Sequence, residues 1–442
     1  MIGKGLNLDQ APPLDLPMRY FLTAPLFGMG AGLLLMVEGA ILLESPWAPH
    51  TVALTHLLTL GVISMVMVGA LYQIIPVVVG SPFLQVAPGK GVHAGLTLGV
   101  LLLEGGLLLG QRPWTWLAMG VLGGAFVIFL GQLALALARA PSHSVTSVSL
   151  IGAAVSLALV VGLGLLFVYQ YAFGWLPLDR TALTGIHVIV AFGGWIGLLI
   201  TGVGYAVIPM FYLSGGFSRI HPWLVLAFLV SGVASGIGVK AAGVRGGWAL
   251  PPLVLLMVAA CLFFTLVFFQ LRSRKRRIVD TTLRFWRLGL FGAPLALAVL
   301  LLEPFFPLPR GLFLFGVIFL MGFALPIING MLYKIVPFLV WLNRFSHLAG
   351  KVRVPFLNDI ITPSQTLWQW RGYLLMAVLL MAGVVLGYDP LVRLAGLAMV
   401  ISFGLLFRNI LGAARMRPEL PEAPPSDGAR QDQEGESRLG DS

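Results

Sequence analysis

Residues 53–80 read ALTHLLTLGVISMVMVGALYQIIPVVVG, twenty-eight residues with no Asp, Glu, Lys or Arg among them. At about 1.5 Å of rise per residue, a helix of this length exceeds the roughly 30 Å hydrocarbon layer of a bilayer. The run is apolar on every face and does not alternate, so it reads as a spanning helix and not as a membrane β-strand. Segments of the same kind follow one another along the chain. Spans are expected near 20–43, 51–80, 92–110, 114–138, 146–173, 183–213, 222–243, 248–271, 285–303, 311–342, 371–388 and 391–412. The fold class implied is an all-α polytopic membrane protein with twelve transmembrane helices.

Composition agrees. Of 442 residues, 58% are hydrophobic and 10% charged, and the mean hydropathy is +0.94, values that exclude a string of soluble domains. The formal charge of +11 invites a nucleic-acid reading, but the cations sit between the spans. With both termini on one side, alternate loops carry only Arg112, Arg180, Lys240, Arg245, Arg310 and Arg393, and the other twenty-two Lys and Arg lie opposite. Such an excess marks the cytoplasmic side. The expectation is a bacterial inner-membrane protein embedded in lipid, with cytoplasmic termini and no nucleic-acid partner. The N-terminal segment 1–18 has no cleavable leader pattern, and the acidic, Pro-rich residues 418–442 read as a disordered cytoplasmic tail. The single cysteine, Cys261, excludes a disulfide framework and a Cys-rich metal centre.

Compared with itself, the chain shows a repeat. GALYQIIP ends at Pro76, GVGYAVIP at Pro209 and GMLYKIVP at Pro337, with Tyr72, Tyr205 and Tyr333 at matching places. The three motifs close the second, sixth and tenth spans, which makes the period four helices and roughly 130 residues. An even number of helices keeps each copy in one orientation. Three four-helix repeats, 19–142, 143–282 and 283–417, are therefore expected around a pseudo-threefold axis along the membrane normal. The plain alternative is that the tyrosines are boundary aromatics and the prolines merely end or kink helices. The same view sends Lys334 to the lipid headgroups.

Of the seven histidines, His50, His93, His143, His221 and His347 fall in loops or at span edges, where an imidazole is wet. His56 and His187 lie inside the second and sixth spans. Each precedes its motif proline by about 30 Å of helix, which places both in the outer half. Two imidazoles from neighbouring helices at one depth, among Gly, Ala, Leu and Val, form the ligand set for a flat apolar macrocycle such as a b-type haem. Copper is the alternative metal, since imidazole serves both. Gly61, Gly69, Gly193, Gly194 and Gly197 offer the room that a ring needs. The competing reading makes both residues packing histidines, bonded to a carbonyl or a Thr one turn back. Glu38 and Glu104 are the acidic residues within spans, read either as proton-exchanging or quinol-facing groups or as packing hydrogen-bonders. Arg112, Arg180 and Arg245 are the outer cations available to haem propionates.

Twelve helices in three arcs, with histidines on the second and sixth, resemble the catalytic subunit of the haem-copper oxidases. The phrases THLLTLGVISMVMVGALYQIIPVV and HVIVAFGGWIGLLITGVGYAVIPMFY look like the NnrS-type and oxidase subunit I-like membrane proteins of bacteria. The resemblance spans about residues 19–417. It implies that His56 stands where a low-spin haem ligand is found and His187 where a copper ligand is found. The pattern departs in the tenth span, GLFLFGVIFLMGFALPIINGMLYKIVP, which has no histidine, and in the seventh, which lacks the adjacent pair. The implied protein is a haem or haem/copper protein without the standard oxygen-reducing binuclear centre. It would work in electron transfer or in a nitric oxide or oxygen response, with a redox partner or quinol. A permease with a path along the pseudo-threefold axis and an assembly scaffold are the competing classes.

Overall fold

The computed structural model describes residues 12–83, 85–174, 179–244, 247, 250–275 and 280–418. Among them, twelve helices are long and apolar enough to cross a membrane. They are α1 Asp15–Leu43, α2 Pro49–Val79, α3 Ala87–Leu108, α4 Arg112–Ala138, α5 Val145–Phe173, α6 Arg180–Tyr212, α7 His221–Ala241, α8 Leu250–Arg272, α9 Thr281–Leu302, α10 Gly311–Arg344, α11 Pro363–Leu386 and α12 Asp389–Arg415. The described residues contain no β-strand. The expected N-terminal segment is described only from residue 12, and the expected tail lies outside the described residues beyond residue 418.

The helices run further than the apolar runs where polar residues cap them. α11 starts at Pro363, not near 371, because the Thr362 hydroxyl accepts the Gln365 N–H while the Gln365 carboxamide accepts the Thr362 N–H. α9 starts at Thr281 because the Asp280 carboxylate accepts the Leu283 N–H. Each cap satisfies amide groups that the first turn leaves without a partner.

α2, α6 and α10 are the inner helices, with 89%, 56% and 61% of their most apolar stretch buried, against 44% or less in the other nine. Around them the chain pairs locally. α3 packs on α4 through Gly95 and Gly99, α7 on α8 through Gly232, and α11 on α12 through Gly383, all antiparallel hairpins in which small residues bring backbones together. α4 then meets α5 (Gly123 against Leu165), α8 meets α9 (Phe264 against Phe291) and α12 meets α1 (Gly396 against Gly32), so the last helix closes on the first.

One contact pattern occurs at three places. Gly69 of α2 faces Tyr20 of α1 and Gly61 faces Phe27; Gly202 of α6 faces Ser149 of α5 and Gly194 faces Ser156; Gly330 of α10 faces Phe285 of α9 and Gly322 faces Gly292. The spacing is eight residues on the inner helix and seven on its outer partner each time. The glycines nearer the start of each inner helix, Gly61, Gly194 and Gly322, each sit in a stretch where the helix widens to π-type bonding, Leu57–Ser64, Val190–Gly197 and Ile318–Ala324. Such widened turns are rare in ordinary helices and concentrate at functional sites.

Candidate functional site

His56 and His187 are brought together, each about 10 Å along its helix from the starts of α2 and α6. Their ring centroids lie 6.5 Å apart with the planes tilted by 36°. The Nδ1 of His56 is 2.8 Å from the Val52 carbonyl oxygen. A carbonyl only accepts, so Nδ1 carries the proton and Nε2 keeps its lone pair. His187 has a buried Nδ1 with no hydrogen-bond partner. Its ring stands edge-on to Phe167 of α5 at 5.6 Å, and the backbone of Val160 lies beside it. Gly164 of α5 is close enough that an added methyl would lie 3.6 Å from the imidazole Cε1. In the first part of α6, Arg180–Ile189, no residue is fully buried. Deeper, α2 and α6 meet directly where the Trp195 indole donates to the Ser64 hydroxyl at 3.2 Å.

The structure changes the expected source of room for a ring. Gly61, Gly69 and Gly194 are taken up by helix packing, against Phe27, Tyr20 and Ser156 in turn, while Gly193 and Gly197 line an apolar cavity between α6 and α10 and not the space beside the imidazoles. The glycine that faces an imidazole is Gly164, on a helix with no histidine in its span. Other assignments change too. His93 is no wet imidazole, because its Nε2 lies 2.9 Å from the Thr23 hydroxyl and its ring packs on Tyr20. Glu38 pairs with His50, Oε1 to Nδ1 at 3.2 Å, where the end of α1 meets the start of α2. Glu104 is buried with neither carboxyl oxygen hydrogen-bonded. Arg180 lies over the Trp47 ring at 5.7 Å, near the mouth above the histidine pair. Arg112 sits exposed at the start of α4 and Arg245 lies outside the described residues.

The repeated tyrosines are not boundary aromatics. Tyr72, Tyr205 and Tyr333 are 1%, 8% and 5% exposed. Each meets the second helix along: the Tyr72 hydroxyl donates to Gln132 of α4 at 2.8 Å, Tyr205 packs on Phe263 of α8, and Asn409 of α12 donates to the Tyr333 oxygen at 3.0 Å. Pro76 lies in a π-type turn at the end of α2, whereas Pro209 and Pro337 lie inside α6 and α10. The Lys334 ammonium contacts Asp280 at 2.6 Å instead of reaching for lipid. Burial pushes the Asp280 carboxyl up, but the Lys334 charge and the hydrogen bonds from Thr282 and the Leu283 N–H outweigh it. The group is held below the usual carboxylate range.

Between them, α2, α6 and α10 with Trp286 of α9 enclose a cavity of about 70 Å³ whose lining is apolar apart from the Trp286 indole. A second apolar cavity of about 130 Å³ lies between α6 and α10, flanked by α7, α8 and α9. Among the described residues no three or more His, Cys, Asp or Glu are grouped to hold a metal ion, so the candidate site is the histidine pair alone. No protein-family model matches the chain, and a search of curated proteins finds no significant match.

Proposed function

We propose that this protein is a membrane haem protein in which His56 and His187 would hold one b-type haem, in the outer half of the bundle. The observation that carries the reading is their separation of 6.5 Å between ring centres. Two bonds of about 2 Å to one metal, plus roughly 1 Å from each nitrogen to its ring centre, give about 6 Å. The hydrogen bond from His56 to Val52, one turn back, fits a packing histidine, but ligating histidines also donate their second N–H to a carbonyl, which fixes the ring and the tautomer. What favours ligation is His187, whose buried Nδ1 makes no well-formed hydrogen bond even with the Val160 backbone alongside. Gly164 and the loosely covered start of α6 leave room beside it, and Arg180 is the cation at hand for a propionate. The three matched sets of helix contacts support a four-helix repeat.

When bound, the haem would supply one-electron transfer and an affinity for small gases such as nitric oxide or oxygen. His56 and His187 would hold and orient it, Phe167 and the surrounding aliphatic side chains would exclude water, and a quinol or membrane redox partner would be the electron source. With no histidine on α10, no oxygen-reducing binuclear centre is proposed. The cavity between α2, α6 and α10 lacks the mid-membrane polar groups that a permease path requires and supports that reading less. The test is a reduced-minus-oxidised visible spectrum and metal analysis of protein made under haem-replete conditions. One b-type haem per chain is expected, with its spectrum lost or shifted in both His56→Ala and His187→Ala. A colourless, metal-free preparation, or variants that keep the full spectrum, would overturn it.

A further inference from the structure

Glu104 of α3 is 5% exposed, and both its carboxyl oxygens lack a hydrogen-bond partner. Among the described residues it is the one buried acidic side chain. An ionisable group in that setting is costly unless it has work to do.

Its depth follows from helix register. Tyr20 and Phe27 of α1 face Gly69 and Gly61 of α2, and Thr23 of α1 meets His93 of α3. Counting outward from these contacts at about 1.5 Å per residue brings Glu104 level with Leu34 of α1 and with Thr55 and His56 of α2. Its direction follows from the same contacts. Gly95, Gly99 and Gly106 turn towards α4, whereas Glu104 lies three turns beyond His93 on the opposite face of α3, the face that meets α1 and α2. Register thus places Glu104 at the depth of the histidine pair, on the face of α3 turned towards α1 and α2. From the packed helices, the charged or titratable groups at this end are Glu38 of α1, His50 and His56 of α2, and Arg112 of α4. Glu38 and His50 are engaged with each other.

We propose that Glu104 is a proton-exchanging carboxyl that compensates charge at the His56/His187 layer. The coupling rests on the cofactor reading above. Opposite the positive charge of an oxidised site, Glu104 would be held as a carboxylate; when one electron from a one-electron reductant cancels that charge, the carboxylate is left unpaired in a medium of low polarity. It then takes one proton from water on the outer side, forming its O–H bond, and gives it back when the electron leaves.

The test treats the purified full-length protein with dicyclohexylcarbodiimide, an apolar reagent that adds to protonated carboxyls, and reads the adduct by peptide mass spectrometry. An adduct at Glu104 is expected, several-fold more abundant after dithionite reduction than in the oxidised protein, and absent from Glu104→Gln. In His56→Ala the labelling should no longer depend on dithionite. Reduced-minus-oxidised infrared spectra should show a carboxylic C=O band that Glu104→Gln removes, a readout independent of reagent access. Equal labelling in both redox states of coloured protein, with no such band, would overturn the proposal. A colourless preparation that still labels at Glu104 would instead overturn the cofactor reading and the coupling with it, so the label distinguishes the two failures.

Discussion

Tyr72 and Tyr205 hold the same place in their motifs and differ in what their hydroxyls meet. The first donates to Gln132, while the second is buried without a partner. Removing a made hydrogen bond costs about 1 kcal/mol, whereas removing an unmade one is neutral or favourable. Thermal unfolding in detergent should therefore show Tyr72→Phe lowering the midpoint and Tyr205→Phe leaving it unchanged or raised. The reverse order would contradict the pairing. Asp280 carries a pH prediction. Its folded-state value lies below the ordinary one, so its contribution to stability is complete above the unfolded value of about 3.9 and is lost as the pH falls through the lower folded value. Asp280→Asn should flatten the acid limb of a stability-against-pH curve and lower stability at neutral pH. An unchanged acid limb would show that the Lys334 pair does not set it. The two tyrosines are legible in the sequence because they recur at fixed spacing. Gln132 and Asn409 are not, because they sit on helices sixty and seventy-six residues further on.

Glycines act at the scale of elements. Gly292 of α9 lies directly on the backbone of Gly322 in α10, while Gly124 of α4 has no neighbour within 4 Å of an added methyl. Gly292→Ala should destabilise the protein by about 1–3 kcal/mol, as overpacking does. Gly124→Ala should be neutral or stabilise it by up to about 1 kcal/mol, since alanine is the better helix former. Chemical unfolding of the two variants in parallel measures the difference, and equal midpoints would remove the α9–α10 contact from the account. A signal for this packing does stand in the chain: the second glycine of Gly61–Gly69, Gly194–Gly202 and Gly322–Gly330 begins each Tyr–Pro motif. The GALYQIIP-type phrase starts at that second glycine, so the motif alone reveals only half of the contact.

At the scale of the molecule, closure depends on α12 meeting α1. The Arg393 guanidinium donates to the Met36 and Val37 carbonyls at 2.7 and 2.6 Å, and the Asp389 carboxylate accepts the Ala40 N–H at 2.7 Å, clasping the end of α1. With twelve crossings, the loop before α9 and the turn between α1 and α2 lie on opposite sides. In a Cys261→Ser background, Ser273→Cys should react with a membrane-impermeant thiol reagent only from the cytoplasm, and Ser45→Cys only from outside. Labelling of Ser273→Cys from outside would invert the topology. The twelve spans, the expected orientation and the singling-out of His56 and His187 all came from the chain alone. Continuous apolarity, loop charge and the scarcity of ionisable groups in lipid are local properties, which each segment expresses whatever its neighbours. Only the tertiary structure decided that the two imidazoles stand 6.5 Å apart, that Gly164 and not the five suspected glycines faces one of them, and that Glu104 has no partner. Those facts depend on which faces of distant helices meet and at what register, and in a chain apolar on nearly every face no hydrophobic stripe records that choice.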